Sequence, residues 1–492
     1  MRTDLFFLLL GVSVTVPLLS CESATGDDVG SSGVVTVLDV SESPSCTLLA
    51  EIQVETSIPT RIRTVVRHAE RPQRLVPGTA LSTSHSFLVT EMRAQSTYEL
   101  EFTIEDEQGH VLEQHSRSFK TGELPTQTAS EMLSSTLEDD GNLFLLGPAP
   151  KSASRVESAD EPLVLAVDRD GEVVWYLQNP GITTAFAPRD VRLRDDGNLV
   201  VLVPGGWNLF TLSGEVVKKY RSPREDLYFH HDVIDLPMGG FATLAGSVRS
   251  LNVPGLGSQI NIRGDQIIEL NEDGEIIWEW STFDHLDTTR FPGPLALNPF
   301  YIGIGEPVYD WTHANAVVYV EDEDAYLLSL RHQSWVVKLD RATGEVIWRL
   351  GPDGDFALVD GEGGAAEWFY NQHNPFLSSD GVLTLYDNGN ERPGVTEPYS
   401  RAVSYLLDET NMTATQIWSY PVGFYSNFLG GVEKTAAGRW LVTAGGNRGS
   451  ESPGQLAEVP AVQGVESEWT LSYPDSVVYR AHQVPSLYVD TN

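Results

Sequence analysis

The sequence predicts an all-β protein in which a six-bladed β-propeller follows a small β-sandwich. Two signals alternate along the chain after about residue 124, and each of them occurs six times. One signal is a turn followed by an apolar strand, and the other is a later strand that is usually opened by Gly-Glu and ended by tryptophan. Turn-rich strands with an aromatic residue at a fixed place in each unit are typical of a propeller, so six units predict six blades.

Both signals are visible in the printed sequence, which shows no competing amphipathic helical pattern. The turn-and-strand signal stands at residues 140–146, 196–202, 238–244, 323–328, 380–385 and 437–442. The second signal stands at residues 171–175, 214–217, 274–278, 344–348, 416–418 and 466–469. We expect four tryptophans to take similar positions in their own blades and to fill the gaps between neighbouring blades. These are Trp175, Trp278, Trp348 and Trp418.

The chain before the propeller divides into three parts. Residues 1–20 contain an apolar stretch typical of a signal peptide and too short to span a bilayer as a stable helix. The small residues before Cys21 resemble a bacterial lipobox, so we expect Cys21 to carry lipid and to anchor the protein to a bacterial membrane, in the periplasm or at the cell surface. Residues 21–33 form a polar tether. Residues 34–122 alternate in short segments that predict a sandwich similar to fibronectin type III domains, and residues 123–492 form the propeller.

The composition excludes one class of partner. The 492 residues include 32 Lys and Arg against 69 Asp and Glu, which gives a formal net charge of −37. Such a field repels nucleic acid and anionic membrane surfaces. We therefore expect small-molecule ligands, and a membrane contact through the N-terminal lipid alone. If Cys21 carries lipid, Cys46 lacks a disulfide partner and is expected to be a buried, small apolar residue.

Three histidines stand at similar points of the repeated unit: His231, His313 and His373. Each starts a short segment that reaches a turn and then an apolar strand, and those strands are Phe241–Ala245, Ala325–Leu330 and Val382–Tyr386. If the apolar strand is the innermost strand of its blade, each histidine lies at the mouth of the central channel. Equivalent points of a repeat occupy equivalent points around the axis, so the three imidazoles are expected to converge.

Two chemistries compete with a purely structural role for these histidines. Arginine and histidine together suit a tetrahedral oxyanion, because Arg331 offers paired donors and an imidazole can act as nucleophile, acid or base. Histidine is also the commonest ligand of transition metals, and Asp232 or Asp387 could complete a metal site. The sequence has no Walker-type phosphate loop, Cys-x-x-Cys pair or Gly-x-Ser-x-Gly motif. The histidine–arginine cluster is therefore the main candidate for anion chemistry.

Several segments together resemble the bacterial arylsulfate sulfotransferase family. They are His230-His-Asp, Asp310-Trp-Thr-His-Ala-Asn-Ala-Val, Ser329-Leu-Arg-His-Gln-Ser-Trp, Gly344-Glu-Val-Ile-Trp-Arg-Leu-Gly, Gln372-His-Asn-Pro, Asp387-Asn-Gly-Asn, Tyr399-Ser-Arg-Ala-Val, Asn411-Met-Thr-Ala-Thr-Gln-Ile-Trp and Val478-Tyr-Arg-Ala. The resemblance covers roughly residues 130–490. It is specific because several unusual segments occur in the family's order.

The resemblance implies a six-bladed propeller with a small N-terminal β-domain. It also implies transfer of a sulfuryl group from an aryl sulfate to a phenol, without a nucleotide donor, through a transiently sulfated histidine. His373 in Gln-His-Asn-Pro would be the nucleophile, and Arg331 and His313 would contact sulfate oxygens. One of His230 and His231 would complete the catalytic set, and the phase of the repeat favours His231. Further candidates for substrate contact are His230, His332 and Asn388.

One departure from the family concerns order near the nucleophile. Some members carry a disulfide there, whereas this chain has no cysteine after Cys46. The loop before His373 must therefore be held in another way. We expect no metal, nucleotide or other cofactor. The alternatives are a non-catalytic propeller that binds a sulfated or aromatic ligand, and a metal-dependent hydrolase that uses the same histidines.

Overall fold

The structure, a computed structural model, describes residues 33–124, 130–151, 162–178, 190–253, 255–293, 296–297, 307–361, 365–447 and 450–489. The expected signal peptide and Cys21 lie outside these residues, so their processing stays a prediction. Strands dominate the described chain, whose one α-helix is the single turn α1 (Thr282–His285). The all-β expectation is thereby confirmed. Across the described ranges, no helix has the length and hydropathy needed to cross a bilayer.

The N-terminal strands form one connected sheet around a long second strand. They are β1 (Val35–Ser43), β2 (Cys46–His68), β3 (Arg71–Val76), β4 (Ser82–Val89), β5 (Thr97–Glu105) and β6 (Val111–Lys120). The first half of β2 pairs with β1 and β4, and its second half pairs with β3 and β5. Alternation along β2 buries Ile52 and Val54 from the first half with Ile62 and Val66 from the second in one apolar cluster.

The rest of the chain forms six further sheets. Their strands are β7 (Glu131–Ser135), β8 (Leu143–Pro150), β9 (Pro162–Val167), β10 (Val173–Gln178), β11 (Val191–Leu193), β12 (Leu199–Val203), β13 (Gly206–Phe210), β14 (Val216–Arg221), β15 (Tyr228–Asp235), β16 (Phe241–Val253), β17 (Gly257–Leu270), β18 (Ile276–Ser281), β19 (Ala296–Leu297), β20 (Val308–Asp310), β21 (Ala314–Val320), β22 (Ala325–Leu330), β23 (Trp335–Asp340), β24 (Val346–Leu350), β25 (Ala357–Val359), β26 (His373–Leu377), β27 (Val382–Asp387), β28 (Arg401–Asp408), β29 (Thr413–Pro421), β30 (Gly431–Lys434), β31 (Trp440–Ala444), β32 (Gly454–Val459), β33 (Trp469–Tyr473) and β34 (Ser476–Val484).

Each of the six sheets has four antiparallel strands in a simple order. Sheet 1 is β34-β8-β9-β10, and sheets 2 to 6 begin with β11, β15, β21, β26 and β30 respectively. Sheet 3 adds β19 and β20, sheet 5 adds β25, and sheet 6 adds β7. The first strands of sheets 3 to 6 contact one another in order, and β15 of sheet 3 contacts β12 and β13 of sheet 2. The series closes because β30 and β11 both contact β34 of sheet 1.

Four of these sheets carry a tryptophan at the same point of their fourth strand. Trp175, Trp278, Trp348 and Trp418 each lie opposite the third strand directly after a register shift. This confirms their expected equivalence. Sheet 2 has Lys218 at that point. Trp175 also reaches the neighbouring sheet, where its indole Nε1 donates to the Leu212 carbonyl at 3.0 Å, so an aromatic side chain bridges successive sheets.

The N-terminal sheet packs against sheet 1. Cys46 and Leu48 are buried in the same apolar cluster as the strands of sheet 1. The Arg93 guanidinium also donates to Asp168 at 2.8 Å. Cys46 is a free cysteine, and burial raises the pKa of its thiol to about 11. It behaves as the buried apolar residue that the sequence predicts.

A group of charged side chains, here called the central ion-pair network, lies between the first strands. Its members are Asp190, Arg192, Asp232, Glu433, Arg480 and His482. They come from sheets 1, 2, 3 and 6, so the network ties distant parts of the chain to one another.

Candidate active site

The three singled-out histidines lie on or beside first strands of three successive sheets. His231 is within β15, His313 directly precedes β21, and His373 begins β26. The sequence predicts that the apolar strand after each histidine is the innermost strand of its blade. This prediction is wrong, because those strands, β16, β22 and β27, are the second strands of their sheets. The misassignment has a physical cause. A register shift at each histidine interrupts the alternation by which a strand is recognised.

The register also corrects the repeat-phase argument for His231. His230 and His373 are the last paired residues before their register shifts, so His230, not His231, is the counterpart of His373. His231 nevertheless carries the ring that meets the cluster, because its centroid lies 5.0 Å from that of His313.

The backbone at two of the histidines is strained. The φ angles of His231 and His313 are 62° and 49°, in the left-handed region that costs a non-glycine residue about 1 kcal/mol or more. The carboxylate of Asp265 holds the turn at His313, since its Oδ2 accepts from Thr312 Oγ1 at 2.6 Å and from the Ala314 amide at 2.5 Å. Such strain persists only where the surroundings enforce it, and it concentrates at functional sites.

A fixed amide orients the imidazole of His373. Asn388 Nδ2 donates to the carbonyls of Ser426 and Leu429 at 2.8 and 2.9 Å, so its Oδ1 faces His373 Nδ1 at 2.6 Å. An amide oxygen can only accept, and hydrogen bonding therefore assigns the proton of the ring to Nδ1. The lone pair is left on Nε2, to which no described residue is hydrogen-bonded. Burial and then the nearby charge of Arg331 lower the pKa of His373 well below its ordinary value, so this lone pair is present at neutral pH.

His313 has a carboxylate where His373 has an amide. Its Nδ1 donates to Asp310 Oδ2 at 2.6 Å, and the other oxygen of Asp310 accepts from Arg263 at 3.1 Å. Burial alone would raise the pKa of Asp310, but His313 and Arg263 hold it below its ordinary value. Asp310 is therefore an anion that fixes the ring of His313 and can stabilise a positive charge on it.

A second hydrogen-bonded chain runs through the adjacent histidines. Arg263 Nη2, which can only donate, lies 2.6 Å from His230 Nε2, nearer than Asp265 Oδ1 at 3.2 Å. The Nδ1 of His230 consequently carries the proton and donates to His231 Nδ1 at 2.7 Å. Burial and Arg263 lower the pKa of His230 to about 4, so it is neutral. In a neutral His231 the remaining proton then lies on Nε2, which makes that atom a donor.

The guanidinium of Arg331 is held by the residue that follows it and by a distant loop. Its Nη1 donates to His332 Nε2 at 2.8 Å, and its Nη2 donates to the Asn427 carbonyl at 2.9 Å. His332 Nδ1 in turn donates to the Asp310 carbonyl at 3.0 Å, and burial lowers the pKa of His332 to about 3. Arg331 Nε is buried and has no protein partner among the described residues, so it can donate to a bound anion.

Three residues expected at the substrate have other roles in the structure. Both ring nitrogens of His230 and of His332 have protein partners, and Asn388 uses both amide hydrogens and its oxygen on protein groups. No polar atom of these side chains is left for a ligand. They orient His231, Arg331 and His373, which are three of the four residues assigned to catalysis.

The two carboxylates that the sequence offers for a metal site, Asp232 and Asp387, pair with arginines instead. Asp387 pairs with Arg401 at 2.9 Å, and Asp232 pairs with Arg480 at 3.0 Å, so neither faces the histidines. A different group, Asp310 with His313 and His332, brings possible ligand atoms within 4.8 Å of one another. The Arg331 guanidinium on His332 places a positive charge beside that group.

The described residues before His373, at 351–361 and 365–372, are held in place without a disulfide. Strand β25 pairs in parallel with β29, and Phe356 packs edge-on against Trp348 at 5.5 Å between ring centroids. Gln372 Nε2 donates to Ser329 Oγ at 3.0 Å and to the Trp335 carbonyl at 2.8 Å. These bonds join the residue before the nucleophile candidate to sheet 4.

Sequence reasoning missed several site residues. Arg263 and Asp265 come from β17, which carries none of the motifs, so no signal in the sequence singled them out. Asp310 and Tyr479 do lie within the motifs that resemble the family, and those motifs are the signal by which they could have been found. The Tyr479 ring lies 6.3 Å from both His231 and His373, and its hydroxyl donates to the Asn315 carbonyl at 3.0 Å.

Fold and site together define an all-β protein whose first strands carry neutral, hydrogen-bond-oriented histidines beside a guanidinium, a set suited to a tetrahedral anion. The chain belongs to the arylsulfotransferase (ASST) family, whose sequence model matches residues 126–480.

Two curated relatives carry the name arylsulfate sulfotransferase AssT. The protein of Escherichia coli O6:H1 is 26% identical over 394 residues, which are 65% of this chain and 64% of that protein. The protein of Lelliottia amnigena is 27% identical over 346 residues, which are 58% of this chain and 56% of that protein. The chain thus spans less than two thirds of the length of either relative.

One solved structure shows a distant resemblance to the chain. An apocarotenoid oxygenase of Synechocystis aligns over 72% of this chain and 95% of its own, with 9% identity and a TM-score of 0.33. A likeness of that size supports no inference about architecture or function.

Proposed function

We propose that the protein is an aryl-sulfate sulfotransferase that works by a ping-pong mechanism through sulfated His373. The observation that carries the proposal is the His373–Asn388 pair, which places an unprotonated Nε2 in the cluster that contains Arg331. A neutral imidazole with a fixed lone pair is a nucleophile. Membership of the family supports sulfate esters as the substrate class.

In the first half-reaction, His373 Nε2 attacks the sulfur of the aryl sulfate. The N–S bond forms while the bond from sulfur to the aryl oxygen breaks, and the phenolate leaves with the electron pair of that bond. Arg331, through Nε and its remaining hydrogens, stabilises the sulfate oxygens. His231, whose ring lies 5.0 Å from that of His313, completes the same cluster. Donors fixed in advance at a developing charge are the largest single contribution in many enzymes.

We assign the proton transfers to His313, which differs from its expected contact with sulfate oxygens. With Nδ1 bonded to Asp310, His313 can give a proton from Nε2 to the leaving phenolate only when it is an imidazolium, a state that the carboxylate stabilises. It thereby becomes neutral and can take the proton of the acceptor phenol. That phenol oxygen then attacks sulfur, the N–S bond breaks, and His373 is regenerated. The cycle uses no nucleotide.

The proposed architecture is a six-bladed propeller after a fibronectin type III-like sandwich. Its support is the set of six sheets that contact one another in a closed series, in which β34 from the end of the chain pairs with β8. The N-terminal strands end at Lys120 and β7 already belongs to sheet 6, which supports a domain boundary near residue 122.

The proposal is tested by incubating the enzyme with an aryl sulfate alone and quenching rapidly. Intact mass should rise by one sulfuryl group, and peptide mapping should place it on His373. Added phenol should discharge it, and steady-state kinetics with both substrates should give the parallel lines of a ping-pong mechanism. A label on another residue, or turnover that needs donor and phenol bound together, would refute the mechanism.

A further inference from the structure

The loop between β29 and β30, residues 422–430, holds two parts of the candidate site at once. Its Ser426 and Leu429 carbonyls accept from Asn388, which orients His373. Its Asn427 carbonyl accepts from Arg331 Nη2 at 2.9 Å. Three carbonyls of one short loop therefore set the positions of the nucleophile and of the anion-binding guanidinium.

The backbone conformation of the loop is fixed by its surroundings. Leu429 has a φ angle of 64°, a left-handed conformation that its side chain disfavours, and its carbonyl is one of those on Asn388. Gly430 follows with a φ angle of 108°, and a Cβ at this position would come within 2.5 Å of the Tyr386 ring. The strained turn is thus enforced by its surroundings.

Two side chains outside the loop hold consecutive amides of its backbone. Ser400 Oγ accepts from the Ser426 amide at 2.9 Å, next to the carbonyls on Asn388. Asn447, which follows β31, accepts from the Asn427 amide at 2.7 Å and donates to the Tyr425 carbonyl at 2.8 Å. Asn447 therefore holds Asn427 through its amide, one peptide before the Asn427 carbonyl that binds Arg331.

We propose that Asn447 is a positioning residue for sulfuryl transfer, which acts by fixing the Asn427 carbonyl and through it the Arg331 guanidinium. The inference rests on the proposed function. Asn447 touches neither substrate nor nucleophile in this account. It acts at a distance, because displacement of a catalytic group by about 1 Å can cost on the order of 100-fold in rate.

The test is a double-mutant cycle between Asn447→Ala and Arg331→Lys, with the rate of His373 sulfation as readout. In the wild-type background Asn447→Ala should lower that rate by roughly 10- to 100-fold. In the Arg331→Lys background it should lower the rate by less than about 3-fold, because the contact that it positions is already lost. Equal losses in both backgrounds would overturn the inference.

Two further variants separate positioning from a general loss of stability. Asn208→Ala removes a buried asparagine of sheet 2, whose Oδ1 accepts from Arg221 at 3.0 Å, and should lower the melting temperature without changing the rate per folded molecule. Asn447→Asp keeps the acceptor for the Asn427 amide and should retain most of the rate. An Asn447→Asp rate as low as that of Asn447→Ala would contradict the inference.

The cycle also distinguishes failure of the proposed function from failure of the positioning role of Asn447. If the wild-type protein never acquires a sulfuryl group, the proposed function fails. If it does, and Asn447→Ala behaves like Asn208→Ala, the function stands and the positioning role alone is refuted.

Discussion

Histidines in two neighbouring regions between the first strands have opposite electrostatic states. In the candidate active site, His373, His230 and His332 have a lowered pKa, to about 4 for His230 and about 3 for His332. In the central ion-pair network, burial also opposes charge, but Asp190 and Glu433 raise the pKa of His482 to about 9. The same side chain is thus neutral in one region and cationic in the other.

The difference comes from the partners. His482 donates from both ring nitrogens to carboxylates, each at 2.6 Å, so it is a cationic link between strands with no lone pair. His373 donates from one nitrogen to an amide and feels the charge of Arg331, so it keeps a lone pair. Burial alone does not make a histidine reactive. The identity of the group on Nδ1 decides whether it can act as a nucleophile.

The largest difference in sulfuryl transfer should come from replacing His373 and His482 by glutamine, one at a time. His373→Gln removes the acceptor of the sulfuryl group and should lower sulfuryl transfer by at least about 10⁴-fold, with no covalent label. His482→Gln removes a buried histidine of similar size from β34 and should keep transfer within roughly 5-fold at pH 6, because the network touches no substrate. Initial rates and intact mass measure both. Near-normal transfer by His373→Gln would remove the distinction between the two regions.

A smaller effect is expected when the His373–Asn388 pair is converted into a histidine–carboxylate pair like those that His482 makes in the central ion-pair network. Asn388→Asp places a carboxylate on His373 Nδ1, which should raise the pKa of His373. The nucleophile must be neutral, so activity should fall as the pH drops below that raised pKa, whereas the wild type stays neutral at lower pH. We expect kcat/KM at pH 6 to fall roughly 10- to 100-fold, with the acid limb of the pH profile displaced to higher pH.

Asn390→Asp is the matched control for that change. Asn390 Nδ2 donates to the Asn427 carbonyl at 2.9 Å, so this variant adds the same charge near Arg331 without touching His373. Its acid limb should stay where the wild-type limb lies. A displaced limb in both variants would show that general charge, rather than the group on Nδ1, sets the state of His373.

The parts of the fold that are local in sequence could be predicted. Glycine turns and the tryptophans of the fourth strands recur at regular places, and Trp348 and its counterparts follow the same register shift. The residues of the site could also be named, because His313, Arg331 and His373 stand in unusual motifs.

The roles of the supporting residues could not be predicted, because their partners are distant in the chain. Asn388 is fixed by Ser426 and Leu429 of a later loop, and Arg331 by Asn427 of the same loop. The register shifts that disguise the first strands are likewise a property of pairing. Nothing in the alternation of a single segment reports where its neighbour lies.

The stabilisation that the central ion-pair network provides should depend on pH at values where the neutral histidines of the candidate active site do not titrate. The folded pKa of His482 is about 9 against an ordinary 6.5, so its stabilisation is complete below about pH 6.5 and is lost as the pH rises through 9. Wild-type protein should lose on the order of 2–3 kcal/mol of unfolding free energy from this group between those limits. Urea unfolding at pH 6 and pH 9 measures the loss. His482→Gln should lack this component, and an identical pH dependence in both proteins would contradict the assignment.

The smallest effect, no change at all, is expected on removal of metal ions. Asp310, His313 and His332 bring possible ligand atoms within 4.8 Å, so a metal there is the sharpest rival account of the site. In our account Asp310 accepts a hydrogen bond from His313, and His332 accepts one from Arg331, whose guanidinium already supplies the positive charge. Exhaustive chelation followed by dialysis should leave sulfuryl transfer unchanged, and added zinc should not raise it. Loss of turnover on chelation, restored by stoichiometric zinc, would favour the metal-dependent hydrolase.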